Sequence, residues 1–104
     1  MEKLIELFNE YERPQTNHIY TAYEVKENMN RLDILQEFIK WLVDNDKINK
    51  KKIDTRLVKY VESYYDEDWY WMENSYEDYS HTNTLLMILA ISDTPIKDLI
   101  SYLK

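Results

Sequence analysis

The sequence predicts an all-α protein, a compact bundle of about five short helices in a single domain. Three observations support this prediction. Apolar residues recur at helical spacing in several stretches of the chain. Glycine is absent from all 104 residues, whereas tight β-hairpins favour turns that contain it. The length fits one domain, and no linker or internal repeat divides it.

The first predicted helix covers residues 2–12. It ends before Pro14, because a residue that precedes proline avoids the α region. Its inner side is formed by Leu4, Leu7, Phe8 and Tyr11. Residues 18–25 alternate like a β-strand, but a lone strand has no partner in this chain. We therefore expect an extended loop there that leads into a helix.

The clearest helical pattern covers residues 30–45. Its apolar positions span an arc of about 200°, which is typical of a central helix with neighbours on two sides. These positions are Leu32, Ile34, Leu35, Phe38, Ile39, Trp41, Leu42 and Val43, and the polar face holds Asp33, Glu37, Lys40 and Asp44. The run from Asp44 to Asp46 is expected to end the helix, and residues 47–52 are predicted to form an exposed connector.

A third helix is expected to begin near Asp54 or Thr55, since either side chain can cap a first turn. Its buried side is predicted to be Leu57, Val58, Val61, Tyr64 and Tyr65. Continued helix would bring Asp68 and Ser75 into the same apolar side, and an unpaired buried carboxylate is costly. We therefore predict a break at residues 66–69, followed by a second short helix.

The last part of the chain predicts two more helices. Residues 84–91 are apolar nearly all round, which favours a buried helix. The run Ser92–Pro95 resembles a helix start, with a capping hydroxyl or carboxylate before a proline at the first helical position. The inner side of this final helix is predicted to be Ile96, Leu99, Ile100 and Leu103.

Charge is distributed very unevenly along the chain. No lysine or arginine occurs from Tyr60 to Ile96, and eight acidic residues do. The other residues hold 12 acids and 13 bases, so the formal net charge of −7 arises from this stretch. The eight acids are Glu62, Asp66, Glu67, Asp68, Glu73, Glu77, Asp78 and Asp93.

Tyrosine and tryptophan residues alternate with these acids. Carboxylates steer a basic partner, and aromatic rings supply contact area. In a continuous helix, residues 62–79 would present one negative charge per roughly 4 Å, close to the spacing of about 3.4 Å in a nucleic-acid single strand. The candidate binding residues are Glu62, Asp66, Glu67, Asp68, Trp69, Tyr70, Trp71, Glu73, Tyr76, Glu77 and Asp78. The alternative is that the acids solvate one side of a helix whose aromatic residues fill the core.

Other chemistry has weaker support. Six cationic residues between Lys47 and Lys59 have the charge to contact phosphates, but the simpler interpretation is a solvated loop whose charges attract the acidic region of a neighbouring helix. His81 lies near Glu77 and Asp78, which would allow a metal trio, but a surface or capping histidine is the simpler interpretation. His18 has no candidate partner in sequence. We predict no catalytic residues, no metal, no cofactor and no enzymatic activity.

In size, charge and composition the chain resembles the small acidic anti-CRISPR and anti-restriction proteins of phages and mobile elements. The resemblance implies an inhibitor that blocks a basic, nucleic-acid-binding site on another protein by nucleic-acid mimicry. The composition, without cysteine, predicts a soluble cytoplasmic protein. An immunity protein or small helical regulator that neutralises a toxin or nuclease would use the same surface. Two further alternatives are a homodimeric bundle and a weak helix-turn-helix DNA-binding protein formed by the last two helices. We expect no membrane association and no direct contact with nucleic acid.

Overall fold

The computed structural model describes residues 1–63 and 80–104. These residues form a helical bundle, which confirms the all-α prediction. The helices are α1 (Glu2–Glu12), α2 (Ala22–Met29), α3 (Leu32–Asp44), α4 (Lys50–Ser63), α5 (His81–Ala90) and α6 (Pro95–Tyr102). Buried residues from all six helices join one hydrophobic core. No helix in the described ranges is long and apolar enough to cross a bilayer.

Helix α1 has the predicted bounds. Leu4, Leu7 and Phe8 are buried, and Tyr11 packs against the same core while staying partly exposed. The Arg13 N–H donates to the Asn9 carbonyl at 2.9 Å, which closes the last turn just before Pro14. The apolar spacing and the proline were therefore sufficient to place this helix.

Helix α2 begins within the stretch that alternates like a strand. Residues 16–21 form a loop, as expected, but the helix starts at Ala22 rather than after Val25. Thr21 and Glu24 form a capping box, in which the Thr21 hydroxyl accepts from the Glu24 N–H and the Glu24 carboxylate accepts from the Thr21 N–H. Threonine followed three residues later by glutamate is a known helix start. The period-two alternation of apolar residues across the same positions obscures this signal in the sequence.

Replacing Thr21 by alanine is expected to lower the free energy of unfolding by about 1 kcal/mol, because the Glu24 N–H loses its capping acceptor. Urea denaturation followed by far-UV circular dichroism measures the change. Thr21→Ser, which keeps the hydroxyl, is the control and should stay close to the parent protein. Equal stability of the alanine and serine variants would show that the cap contributes nothing.

Helix α3 is central, as predicted, and contacts α1, α2 and α5. Phe38, Ile39 and Leu42 are fully buried along it. The apolar arc is narrower than the sequence indicates, because Leu32 in the first turn is 64% exposed. The charged face is exposed as expected.

The end of α3 shows how the chain turns without glycine. Asp46 has a positive φ of 57°, a conformation usually taken by glycine and tolerated by aspartate and asparagine. The Lys47 N–H donates to the Leu42 carbonyl at 2.8 Å, and the Asp46 N–H donates to the Val43 carbonyl at 3.2 Å. This pair of bonds is the Schellman motif. It confirms that the run from Asp44 to Asp46 ends the helix.

The prediction for residues 47–59 was partly wrong. Helix α4 begins at Lys50 rather than at Asp54 or Thr55, and the Asn49 side chain accepts from the Lys52 N–H at 3.1 Å. Ile48, expected in an exposed connector, is fully buried and forms an antiparallel bridge with Leu103. Val58 was expected in the core but is 50% exposed, whereas Leu57 is buried as predicted. The bridge to Leu103 is a contact with a distant part of the chain, which local sequence does not indicate.

Helices α5 and α6 confirm the two predicted C-terminal helices. Helix α5 starts three residues earlier than expected, with the Ser80 hydroxyl accepting from the Asn83 N–H at 3.1 Å. Ile91, expected to be buried, is 58% exposed. Pro95 occupies the first turn of α6, but Thr94 makes no side-chain cap. The Ser92 hydroxyl instead hydrogen-bonds the Asp98 carboxylate and accepts from the Thr94 N–H.

Candidate functional site

The predicted binding residues lie almost entirely outside the described ranges. Glu62 belongs to the last turn of α4. The predicted kink at 66–69 and the following short helix also fall outside. The other predicted site residues outside are Asp66, Glu67, Asp68, Trp69, Tyr70, Trp71, Glu73, Tyr76, Glu77 and Asp78. The predicted site therefore stays a prediction. The structure describes the residues that precede it and those that follow it.

The two elements that flank this stretch contact each other. Helix α4 ends at Ser63, Ser80 caps α5, and the two helices are packed together. The His81 Nε2 lies 3.0 Å from the Asp54 Oδ1, which ties the first residue of α5 to α4. From Asp54, α4 continues for another nine residues, about 14 Å along its axis. Ser63 and Ser80, the described residues on either side of 64–79, therefore belong to one packed pair of helices.

Most of the net negative charge of the chain lies in residues 64–79. Residues 64–79 hold six acids and no lysine or arginine, so their formal charge is −6. The other 88 residues hold 14 acids and 13 bases, which leaves −1 for the whole described part. The described helices therefore have almost no net charge, whereas residues 64–79 are strongly negative. The electrostatic attraction for a basic partner would come chiefly from that stretch.

The cationic residues of 47–59 are partly used within the bundle. The Lys52 ammonium donates to the Ser101 carbonyl at 2.7 Å and lies 5.8 Å from the centre of the Tyr102 ring. Lys47 lies 3.9 Å from Glu10. Near them, the Lys104 ammonium contacts Asp46 at 2.7 Å and lowers the pKa of that carboxyl. Lys52 thus joins α4 to α6, Lys47 joins the turn before α4 to α1, and Lys104 contacts the turn after α3.

Each histidine has a carboxylate partner. The His18 Nε2 lies 2.7 Å from the Glu24 Oε2, so our expectation that His18 lacks a partner was wrong. This hydrogen bond is the main cause of a lowered pKa for Glu24, and the bonds from Thr21 lower it further. His81 pairs with Asp54, while Glu77 and Asp78 of the suggested metal trio lie outside the described residues. Residues 1–63 and 80–104 contain no group of three or more potential metal ligands.

Comparison with known proteins adds no assignment: the chain matches no protein-family profile, no curated protein and no solved structure.

Proposed function

We propose that this protein binds and blocks a basic, nucleic-acid-binding site on another protein. The single observation that carries the proposal is the concentration of charge, −6 within residues 64–79 against −1 for the other 88 residues. Acids gathered without neighbouring bases repel one another and gain nothing from i,i+4 pairs. Binding to a basic partner would offset that repulsion, and this is the role that we propose for the clustered acids.

In the proposed complex, the carboxylates of Asp66, Glu67, Asp68 and their neighbours engage lysines and arginines that normally hold phosphates. Trp69, Tyr70 and Trp71 pack where bases or side chains would lie. Charge complementarity speeds the encounter, and buried aromatic anchors slow dissociation. The inhibition is steric and electrostatic, needs no cofactor, and takes place in the cytoplasm. Whether the blocked protein is a defence nuclease or a toxin changes the partner and leaves this mechanism unchanged.

Direct DNA binding through α5 and α6 has less support. The final helix and the residues after it hold two lysines, Lys97 and Lys104, and Lys104 already contacts Asp46 at 2.7 Å. Lys52 likewise contacts the Ser101 carbonyl. The groups that would hold phosphates are therefore partly committed to the protein itself, and a basic protein is the preferred partner.

The test compares two triple variants of equal charge. Glu73→Gln, Glu77→Gln, Asp78→Asn removes three acids of the proposed site. Asp33→Asn, Glu37→Gln, Asp44→Asn removes three exposed acids from α3, so each variant changes the formal net charge from −7 to −4. Immobilised protein is exposed to lysate of the source cells at about 50 and 300 mM salt, over which exposed charge contacts weaken. Captured proteins are identified and assayed for nucleic-acid binding with and without the inhibitor.

The expected result is capture of a basic protein whose nucleic-acid binding the parent protein blocks. Capture should fall at least tenfold for the first triple variant and stay near the parent level for the α3 variant. Equal capture by both variants, or a captured protein that still binds nucleic acid, would contradict the proposal. A dimer in light scattering that captures nothing would instead favour the homodimer.

A further inference from the structure

A groove of about 510 Å³ lies between the end of α2 and the first two turns of α6. It is separate in sequence from residues 62–78, on which the proposed function depends. Lys26 and Asn30 line it from α2 and the turn that follows that helix. The lining from α6 consists of Pro95, Ile96, Lys97 and Ile100, with Thr94 at the helix N-cap.

Two isoleucines provide the apolar part of this groove. Ile96 and Ile100 stand one turn apart on α6, and both pack against the hydrophobic core while staying partly exposed. Pro95 beside them is exposed. Because the core already holds one side of each isoleucine, a ligand meets ordered side chains, and less conformational entropy is lost on binding. The groove is therefore suited to cover one aliphatic side chain of a ligand.

Both charged side chains of the lining are lysines. Lys26 and Lys97 are exposed, and neither forms an ion pair within residues 1–63 and 80–104. Lys97 lies in the first turn of α6, where the positive end of the helix dipole disfavours a cation. An anion beside Lys97 would offset both positive charges. Asp93, the acid that precedes the N-cap of α6, does not line the groove.

The acids of the two helices are hydrogen-bonded to other groups. On α2, Glu24 belongs to the capping box, and Glu27 is hydrogen-bonded to the Tyr23 hydroxyl, which raises the pKa of that tyrosine. On α6, the Ser92 hydroxyl hydrogen-bonds the Asp98 carboxylate. None of these three carboxylates lines the groove. The charge of the described lining is therefore positive, in contrast to the negative charge of the whole chain.

We propose that this groove binds an acidic peptide segment of a partner protein, in which an aliphatic residue lies between two carboxylates. The aliphatic side chain covers Ile96 and Ile100, and the carboxylates engage Lys26 and Lys97. The formal charge of −7 on the chain does not prevent this, because exposed charges are screened over about 8 Å at physiological ionic strength. Nucleic acid fits the groove less well, since its binding depends on many phosphate contacts.

The test uses the acetylated, amidated pentapeptide glycine–glutamate–leucine–glutamate–glycine, titrated into ¹⁵N-labelled protein and followed by amide chemical shifts. The expected result is saturable shifts at the amides of Lys26, Ile96 and Lys97, with an affinity that falls between about 50 and 300 mM salt. The same pentapeptide with lysine in place of glutamate should leave these amides unshifted. Serine in place of the leucine should weaken binding about tenfold, because one covered aliphatic side chain is lost.

Two double variants of equal charge test the role of the lysines. Lys26→Gln with Lys97→Gln removes both cations of the groove and should weaken binding about fivefold, the loss of two exposed charge pairs. Lys3→Gln with Lys40→Gln removes exposed lysines from α1 and α3 and should leave the affinity unchanged. Each double variant changes the formal net charge from −7 to −9, so a difference between them reports on the groove and not on total charge.

Equal affinities of the two double variants would overturn the proposal, as would an absence of shifts at the groove amides at millimolar peptide or shifts confined to residues 47–59. A single-stranded oligonucleotide that shifts the groove amides at lower concentration than the peptide would also overturn it, in favour of nucleic acid. Groove shifts that depend on protein concentration without peptide would overturn it in favour of a second copy of this chain. The lysate experiment changes acids outside the groove, so the two proposals fail separately.

Discussion

Replacing Phe8 by alanine is expected to lower the free energy of unfolding by about 3–5 kcal/mol, the usual cost of removing a buried aromatic ring. Phe8 is completely buried and lies at the centre of a ring cluster. Its ring centre is 5.2 Å from that of Phe38 on α3 and 5.0 Å from that of Tyr20, both in edge-on geometry. Tyr11 lies 6.0 Å away. Edge-on pairs add stability beyond the buried area.

The loss of this ring should affect three elements at once, because α1, the loop and α3 meet there. Urea denaturation followed by circular dichroism at the helical band measures the stability. Tyr23→Ala is the matched control, since Tyr23 is also aromatic but 69% exposed, and it should cost less than about 0.5 kcal/mol. If Phe8→Ala fails to fold, Phe8→Leu gives a milder loss on the same scale. A loss below about 1 kcal/mol for Phe8→Ala would contradict the ring cluster.

Replacing Ile48 by alanine is expected to lower the free energy of unfolding by about 2–5 kcal/mol. The side chain is fully buried, although it stands in a lysine-rich run that the sequence predicts to be exposed. Its backbone forms a bridge with Leu103, and the next N–H, of Asn49, donates to the Tyr102 carbonyl at 2.8 Å. The bridge fastens the C-terminus to the start of α4. An alanine here leaves a cavity in the core.

Val58→Ala is the control, because the sequence and the structure disagree about Val58 in the opposite sense to Ile48. The sequence predicts Val58 in the core, but the side chain is 50% exposed, so its truncation should cost less than about 1 kcal/mol. Both variants are measured by urea denaturation, and the two interpretations predict opposite orders of stability. A greater loss for Val58→Ala than for Ile48→Ala would favour the register expected from sequence and contradict the structure.

Much of the fold could be predicted because local signals agreed with each other. In α1, apolar spacing and Pro14 indicate the same bounds that the structure shows. In α3, the broad apolar arc correctly predicts a helix in contact with several others. In α2, two local signals conflicted: the alternation from Ile19 to Val25 favoured a strand, and the capping pair of Thr21 and Glu24 favoured a helix. The capping pair was correct, because its two side chains form hydrogen bonds that start a helix. Alternation of apolar residues alone does not require a strand.

The sequence predicted less about the candidate site than about the fold. Clustered carboxylates and rings at 62–78 indicate a class of partner, and this remains a prediction. The two hydrogen bonds between the Asn9 side chain and the Tyr20 backbone were not predicted. They join α1 to the loop before α2, and no local pattern in the sequence gives the relative position of these two elements.

The sequence by itself determined the helical class, the ends of α1 and α3, the proline at the start of α6 and the concentration of negative charge after position 60. These depend on neighbours a few residues apart, which helical periodicity and capping chemistry relate directly. The tertiary structure alone decided that Ile48 is buried and Val58 exposed, and that His18 and His81 have carboxylate partners. Most of these outcomes depend on contacts such as that between Ile48 and Leu103, which form only when distant parts of the chain meet.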